Sequence, residues 1–247
     1  MMVPLIVLGV GVLMMICEAT RPGRAWPRVT GWWLRAALLN GIEAGSVFVA
    51  GVAWDRWFMA HRLWSADALG HISGALTGYL VITFIYYWWH RWRHQSAFLW
   101  RWVHQMHHSA QRIEVLTSFY KHPFEIAANS VLSSAIVYLI VGLSPAVATS
   151  AVLLTGLAEL FYHWNVRTPF WLGYIFQRPE SHCLHHQEGL HASNYGDLPL
   201  WDILFGTFKN PREWNARCGL GPENEQRFRA ILLGRDVTGD TAVGDAA

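Results

Sequence analysis

Histidine carries the chemistry in this sequence. Thirteen histidines occur in 247 residues, and nine of them fall in two short windows. Residues 90–108 hold His90, His94, His104, His107 and His108; residues 182–191 hold His182, His185, His186 and His191. The spacings are His-x-x-x-His once and His-x-x-His-His twice. On an α-helix, positions i, i+3 and i+4 share a face, so each set aims its rings at one place. Protonated together, the rings would repel. Neutral and unpaired, they would be costly to bury. A divalent metal removes both difficulties, because neutral imidazole is a ligand for iron, copper and zinc. Eight rings exceed the needs of one ion, so two metals are expected. His163 is a ninth candidate. Glu159, one turn behind it, is expected to hydrogen-bond a ligand ring. His61 and His71 stand apart from these sets and read as ordinary surface or core histidines.

The elements that position these rings are apolar helices. Five stretches can span a bilayer: Met1 to Cys17, Trp32 to Ala53, Ile72 to Trp89, Ile126 to Leu143 and Ala146 to Trp164. A bilayer core of about 30 Å needs roughly 20 helical residues. Ser144-Pro145 breaks the last two runs into a helical hairpin. No Lys or Arg precedes the first run, so it reads as a retained helix rather than a signal peptide. With five spans, the connecting loops alternate sides, and 17 of the 19 Lys and Arg residues fall on one of them. The positive-inside rule makes that side cytoplasmic. All three histidine sets share it. His90 and His94 extend out of the third span. His104, His107 and His108 lie in an apolar-periodic stretch from Ala97 to Ala110. His182, His185 and His186 sit between Pro179, a good helix start, and Gly189, a good stop. Gly70, Gly74 and Gly78 repeat every four residues, a spacing for close helix packing or for room beside the helix for an acyl chain or sterol.

Composition agrees with that reading. The chain is 53% hydrophobic and 15% charged, with 35 aromatic residues and a net charge of +2. This excludes a disordered chain, a coiled coil or a disulfide scaffold, and the charge is too small to suggest nucleic acid. Cys17, Cys183 and Cys218 lack zinc-type pairing and read as free thiols. The expected fold is therefore all-α: a polytopic membrane protein with about five transmembrane helices and a cytoplasm-facing, helical, His-rich cap. Three regions are expected: N-terminal spans and loops over 1–71, a catalytic core over 72–210, and a C-terminal tail over 211–247. The end of that tail, from Asp236, is expected to be disordered. A membrane zinc hydrolase is a weaker alternative, because no histidine set contains a catalytic Glu. A non-enzymatic metal- or haem-binding membrane protein is another. Paired haem ligands would lie at mid-span, whereas these sets lie at span ends.

The segments HRWRH (90–94), HQMHH (104–108) and HCLHH (182–186) resemble the histidine boxes of the fatty-acid hydroxylase / sterol desaturase superfamily of membrane di-iron oxygenases. HQMHHSAQRIEVLTSFYKHPFE (104–125) and SNYGDLPLWDILFGTF (193–208) resemble the stretches that accompany those boxes. The resemblance covers roughly residues 75–210. It implies two iron ions, O2 as co-substrate, and hydroxylation or desaturation of a lipid such as a sterol or fatty acyl chain. It implies ligand roles for His90, His94, His104, His107, His108, His182, His185 and His186. Some relatives carry a further His-x-x-x-His before the last box; here His163 is followed at +4 by Arg167. His122, Asn165 and His191 are the candidates for the missing ligand. Asn194 and Asp202 are candidates to orient ligand rings, although Asn194 to Asp197 also reads as a turn. The chain shows no fused haem-binding segment, so electrons are expected from a separate ferredoxin, cytochrome or flavin reductase.

Overall fold

The computed structural model describes residues 2–238, with side chains from residue 6 onward. The described residues form helices and loops and no strands. The apolar runs become α1 (Met2–Thr20), α2 (Trp32–Ala53) and α3 (Gly70–Gln95). The histidine-bearing α4 (Gln105–Ser109) follows. The hairpin is α5 (Pro123–Ser134), prolonged by a π-helical turn over Ala135–Ile140, and α6 (Pro145–His163). The cap adds α7 (Pro179–His185), α8 (Pro199–Leu204) and α9 (Phe228–Leu232).

Four segments are long and apolar enough to cross a membrane: Trp32–Ala53, Asp67–Gln95, Pro123–Ile140 and Pro145–His163. The described part of the first helix, Ile6–Thr20, is apolar but shorter. Leu34, Phe48, Val52 and Ile72 on these helices are more than two-thirds exposed. In water that would be a liability; against hydrocarbon it is the stable arrangement. The protein is an integral membrane protein.

Packing between the spans is tight where side chains are small. A Cβ on Gly74 would approach Val147 to 2.9 Å, and one on Gly78 would meet Leu143 at 2.7 Å and Ala151 at 2.9 Å. Gly74 and Gly78 of the stripe therefore form a helix-packing face against α6 and the turn before it, whereas Gly70, at φ 68°, starts the helix with open space around it. Ile82, Ile136, Val137 and Ala148 are buried in the same cluster. At the end remote from the histidines, the loop after α2 meets the hairpin turn: Leu63 N–H donates to Leu139 O and Ala66 N–H to Gly142 O.

The cap end has its own core. Trp32, Ala36 and Leu39 of α2 pack with Trp100, Met106, Tyr120 and Ile231. Residues 211–238 fold back onto this core. Glu225 pairs with Arg35 at 3.2 Å. Gln105 donates to Arg235 O and accepts from Val237 N–H, both at 2.9 Å. Asp236 to Thr238, the start of the expected disordered tail, are thus anchored through the buried Val237, and residues 239–247 of it lie outside the described residues.

Candidate metal centre

Four elements deliver nine imidazoles to one place. The last two turns of α3 carry His90 and His94. Ser96 then leaves helical geometry, and its side chain accepts from Leu99 N–H to start the next helical stretch. The stretch from Ala97 to Ser109 is helical, as its periodicity predicts, but it contains a π-helical turn over Trp100–His104. Such a turn inserts one residue into the helical phase and is common at functional sites. α4 presents His107 and His108, α6 ends on His163, and α7 presents His182 and His185. α7 starts at Pro179 and ends at His185, with His186 as its C-cap, before Gly189 turns at φ 78°.

The rings sort into two groups. His90, His94, His104, His108 and His185 form one; His107, His163, His182 and His186 form the other. Within each group the potential ligand atoms all lie within 4.8 Å of one another. The groups adjoin, since His108 and His186 stack at 4.1 Å between centroids.

Outer hydrogen bonds determine which nitrogen faces inward. His90 Nδ1 bonds Tyr195 O at 2.8 Å, and His185 Nδ1 bonds Ser193 O at 2.6 Å. His163 Nδ1 bonds Glu159 O at 2.9 Å, and His107 Nδ1 bonds Tyr120 O at 3.3 Å. A carbonyl only accepts, so each of these rings carries its proton on Nδ1 and leaves a lone pair on Nε2. Those lone pairs face one another. His107 Nε2 lies 3.3 Å from His163 Nε2, with no proton to share. His182 Nε2 is 3.0 Å from His163 Nε2 and 3.1 Å from His186 Nε2, while Nδ1 of both His182 and His186 is buried without a partner that would fix its proton. In the five-ring group, Nε2 of His90, His94 and His185 is buried without a hydrogen-bond partner in the protein. Converging lone pairs of this kind repel unless a cation lies among them, and the all-nitrogen donor set suits a transition metal.

Protonation is disfavoured. Burial, followed by the charge of neighbouring rings, holds His107, His108, His182 and His186 well below the usual imidazole range, and burial followed by Arg93 does the same for His104. Burial lowers His185 to about 3 and His191 to about 4. Neutral imidazole is the metal-binding form.

The remaining sequence candidates occupy other places. His191 Nδ1 lies 3.1 Å from His108 Nδ1, at the outer edge of the five-ring group. His122 caps α5, accepting from Phe124 N–H and bonding Leu232 O, and belongs to neither group. Asn165 bridges loops through Arg24 and Glu18. Glu159 differs from expectation: its carboxylate pairs with Lys121 Nζ at 2.5 Å, and only its backbone carbonyl meets His163. A buried carboxylate is better stabilised by an ammonium than by a neutral ring. The side chains of Asn194 and Asp202 hydrogen-bond none of the clustered rings. Asn194 bonds Ser181 O, Lys209 O and Lys209 N–H, while Asp202 accepts from Tyr195 N–H, Gly196 N–H and Thr207. Both hold the 193–196 loop, whose carbonyls orient His185 and His90.

The residue that sequence reasoning missed is Glu125. Its Oε1 accepts from His104 Nδ1 at 3.1 Å and is also paired with Arg93. The available signal was an acid in the first turn of a largely apolar helix, two residues after the proline that starts it.

The site coincides with a known family. The profile of the fatty acid hydroxylase family matches residues 75–207, which include all nine clustered histidines. The chain belongs to the fatty acid hydroxylase family. It is 29% identical over 130 residues to a sphingolipid C4-hydroxylase of Schizosaccharomyces pombe, covering 51% of this chain and 44% of that protein. It is 32% identical over 184 residues to an ornithine lipid hydroxylase of Rhizobium tropici, covering 72% and 51%. It is 28% identical over 164 residues to human alkylglycerol monooxygenase, covering 65% and 35%. The chain thus spans about half or less of these relatives' lengths. No solved structure matches it.

Proposed function

We propose that this protein is a membrane oxidoreductase that uses two iron ions and O2 to hydroxylate or desaturate a lipid C–H bond. The observation that carries this reading is the pair of imidazole groups with their Nε2 lone pairs turned inward. His90, His94, His104, His108 and His185 would hold one iron, and His107, His163, His182 and His186 the other. When bound, the two ions supply the redox chemistry that activates O2 against an unreactive C–H bond. Relatives named as lipid hydroxylases and monooxygenases support a lipid substrate. The position of the groups at the ends of the spans supports a centre beside hydrocarbon, and the distribution of basic residues favours the cytoplasmic side. The N-terminal helix α1 is taken as a fifth crossing. Electrons come from a separate ferredoxin, cytochrome or flavin reductase.

The chain's own groups do three things in this scheme. Carbonyls of Tyr195, Ser193, Tyr120 and Glu159 fix the tautomers of His90, His185, His107 and His163. The Glu125 carboxylate does the same for His104 and adds negative charge to an otherwise neutral donor set. The buried rings of Trp100 and Tyr195 lie over His94 at 5.5 and 5.3 Å and exclude water from that side.

The test is anaerobic reconstitution followed by metal analysis and lipid mass spectrometry under labelled oxygen. About two irons per chain are expected, with a lipid product gaining one labelled oxygen or losing two hydrogens. Stoichiometric haem, or no bound transition metal, would overturn the proposal.

A further inference from the structure

The cap is not simply perched above the membrane. α8 follows the last span by 35 residues in a loop-rich region, yet its partners lie deep along α3. Trp201 Nε1 donates to Thr83 Oγ1 at 3.0 Å, and Phe84 meets the Trp201 ring edge-on at 5.0 Å. Thr83 is near the middle of the 26-residue α3 and seven residues before His90. At 1.5 Å per residue, that is about 10 Å toward the membrane centre from the metal groups. On either side the chain lies higher along α3: before α8 Tyr195 O meets His90, and after it Phe205 stacks on Tyr87 at 5.2 Å and Thr207 bonds the Tyr87 hydroxyl at 3.0 Å.

What α8 turns outward at that depth is apolar. Leu204 is 61% exposed, and Leu200 and Ile203 are exposed beside it. A second cap segment, Phe170–Tyr174, packs against α8 and exposes Trp171, also at 61%. Phe84 of α3, exposed like Leu80 one turn before it, joins this surface through ring contacts with Trp201 and Phe205. At its upper rim stand cations: Lys209 follows the wedge, and the Arg212 guanidinium lies 4.4 Å over the Phe170 ring. Apolar bodies below and cations above match the order of acyl chains and phosphate headgroups in a leaflet.

Backbone burial in hydrocarbon normally forbids irregular chain. Here the polar groups are paired internally. Trp201 N–H donates to Leu198 O, Phe205 N–H to Trp201 O, and Thr207 and Phe208 N–H to Asp202 O.

We infer that residues 199–205, together with 170–176, form a re-entrant wedge whose partner is the acyl layer of the bilayer leaflet nearest the metal groups. The wedge enters that leaflet from the cap side and returns to it without crossing. Asp202 lies on the wedge and holds the 193–196 loop, so lipid contact is mechanically joined to the carbonyls that orient His90 and His185.

The test is depth measurement in phosphatidylcholine vesicles, and it reads the same with or without iron, so its failure is distinct from failure of the proposed function. An environment-sensitive fluorophore is attached at Leu204→Cys in a Cys17→Ser chain, because Cys183 and Cys218 are buried. The references are Leu80→Cys at mid-span and Arg217→Cys, whose side chain is 80% exposed in the cap. Trp171→Cys repeats the measurement on the second segment. The wedge predicts quenching of Leu204 and Trp171 labels by acyl-chain nitroxides and protection from aqueous iodide, as for Leu80. A quenching ratio nearer that of Arg217 at both positions overturns the inference.

Discussion

His104 and Glu125 lie 21 residues apart on different helices, with Nδ1 of one 3.1 Å from Oε1 of the other. Glu125 is fully buried, and Arg93 holds the same oxygen. The arrangement sets the tautomer of His104 and lends it negative charge. Glu125→Gln keeps the size but removes the charge. Outer partners of metal-bound histidine typically contribute 10–100-fold in affinity. The variant is therefore expected to bind iron about 10–100-fold more weakly in the five-ring group, read by chelator competition. Unchanged affinity in a normally folded variant would contradict the role.

His163 and His122 make a matched contrast. Both were sequence candidates on the cap side, but only His163 belongs to a ring group. His163→Ala removes one of four donors and is expected to lower iron from about two per chain to about one, with loss of lipid oxidation. His122→Ala is expected to leave iron content unchanged. Its cost is structural, about 1 kcal/mol for a lost N-cap, together with the bond to Leu232 O. Equal iron loss in both variants would refute the division into ligand and cap.

Acid should unfold the metal-free protein. The unfolded chain takes up protons on its imidazoles near pH 6.5. In the folded protein, burial holds His185 down to about 3 and His191 to about 4. Between those values the unfolded state binds more protons, so stability falls as pH falls. Each such imidazole contributes a slope approaching about 1.4 kcal/mol per pH unit. Thermal unfolding of metal-free protein in detergent is expected at progressively lower temperature from pH 7 to pH 5. Iron-loaded protein should hold its midpoint further down before protons displace metal. A flat profile for the metal-free form would mean the rings are not buried neutral.

Four spans, the hairpin break and the histidine sets could be read directly, because hydropathy and i, i+3, i+4 spacing are local properties. The division of rings between two groups could not. His185 joins His90, while its helix neighbours His182 and His186 join His107, and that sorting depends on how α3, α4 and α7 cross. The π-helical turn at Trp100–His104 has no local signature in composition. Tyr120 and Tyr195 were likewise unreadable as site residues, since each contributes only a backbone carbonyl. Glu159 looked like a ring partner by spacing along one helix; Lys121, from another segment, outcompetes the ring for its carboxylate. Residues 211–238 carry no chemical motif, yet Ile231 and Val237 complete the core behind Trp100 and Met106.

Asp202 tests whether the wedge and the metal groups are mechanically joined. Its two oxygens accept from Tyr195 N–H and Gly196 N–H at 2.8 Å each, and from Thr207 Oγ1 at 2.7 Å. Asp202→Ala frees the loop without touching any ring. Tyr195 O and Ser193 O then lose their fixed positions, and His90 and His185 lose the acceptors that set their tautomers. Both rings belong to the five-ring group, so iron should be lost from that group first, leaving about one ion per chain held by His107, His163, His182 and His186. Asp202→Asn retains one acceptor oxygen and should recover part of the loss. Metal content of the two variants, measured beside helix content by circular dichroism, separates this positioning role from general unfolding. If Asp202→Ala released both ions equally while staying folded, the loop would not be acting through His90 and His185.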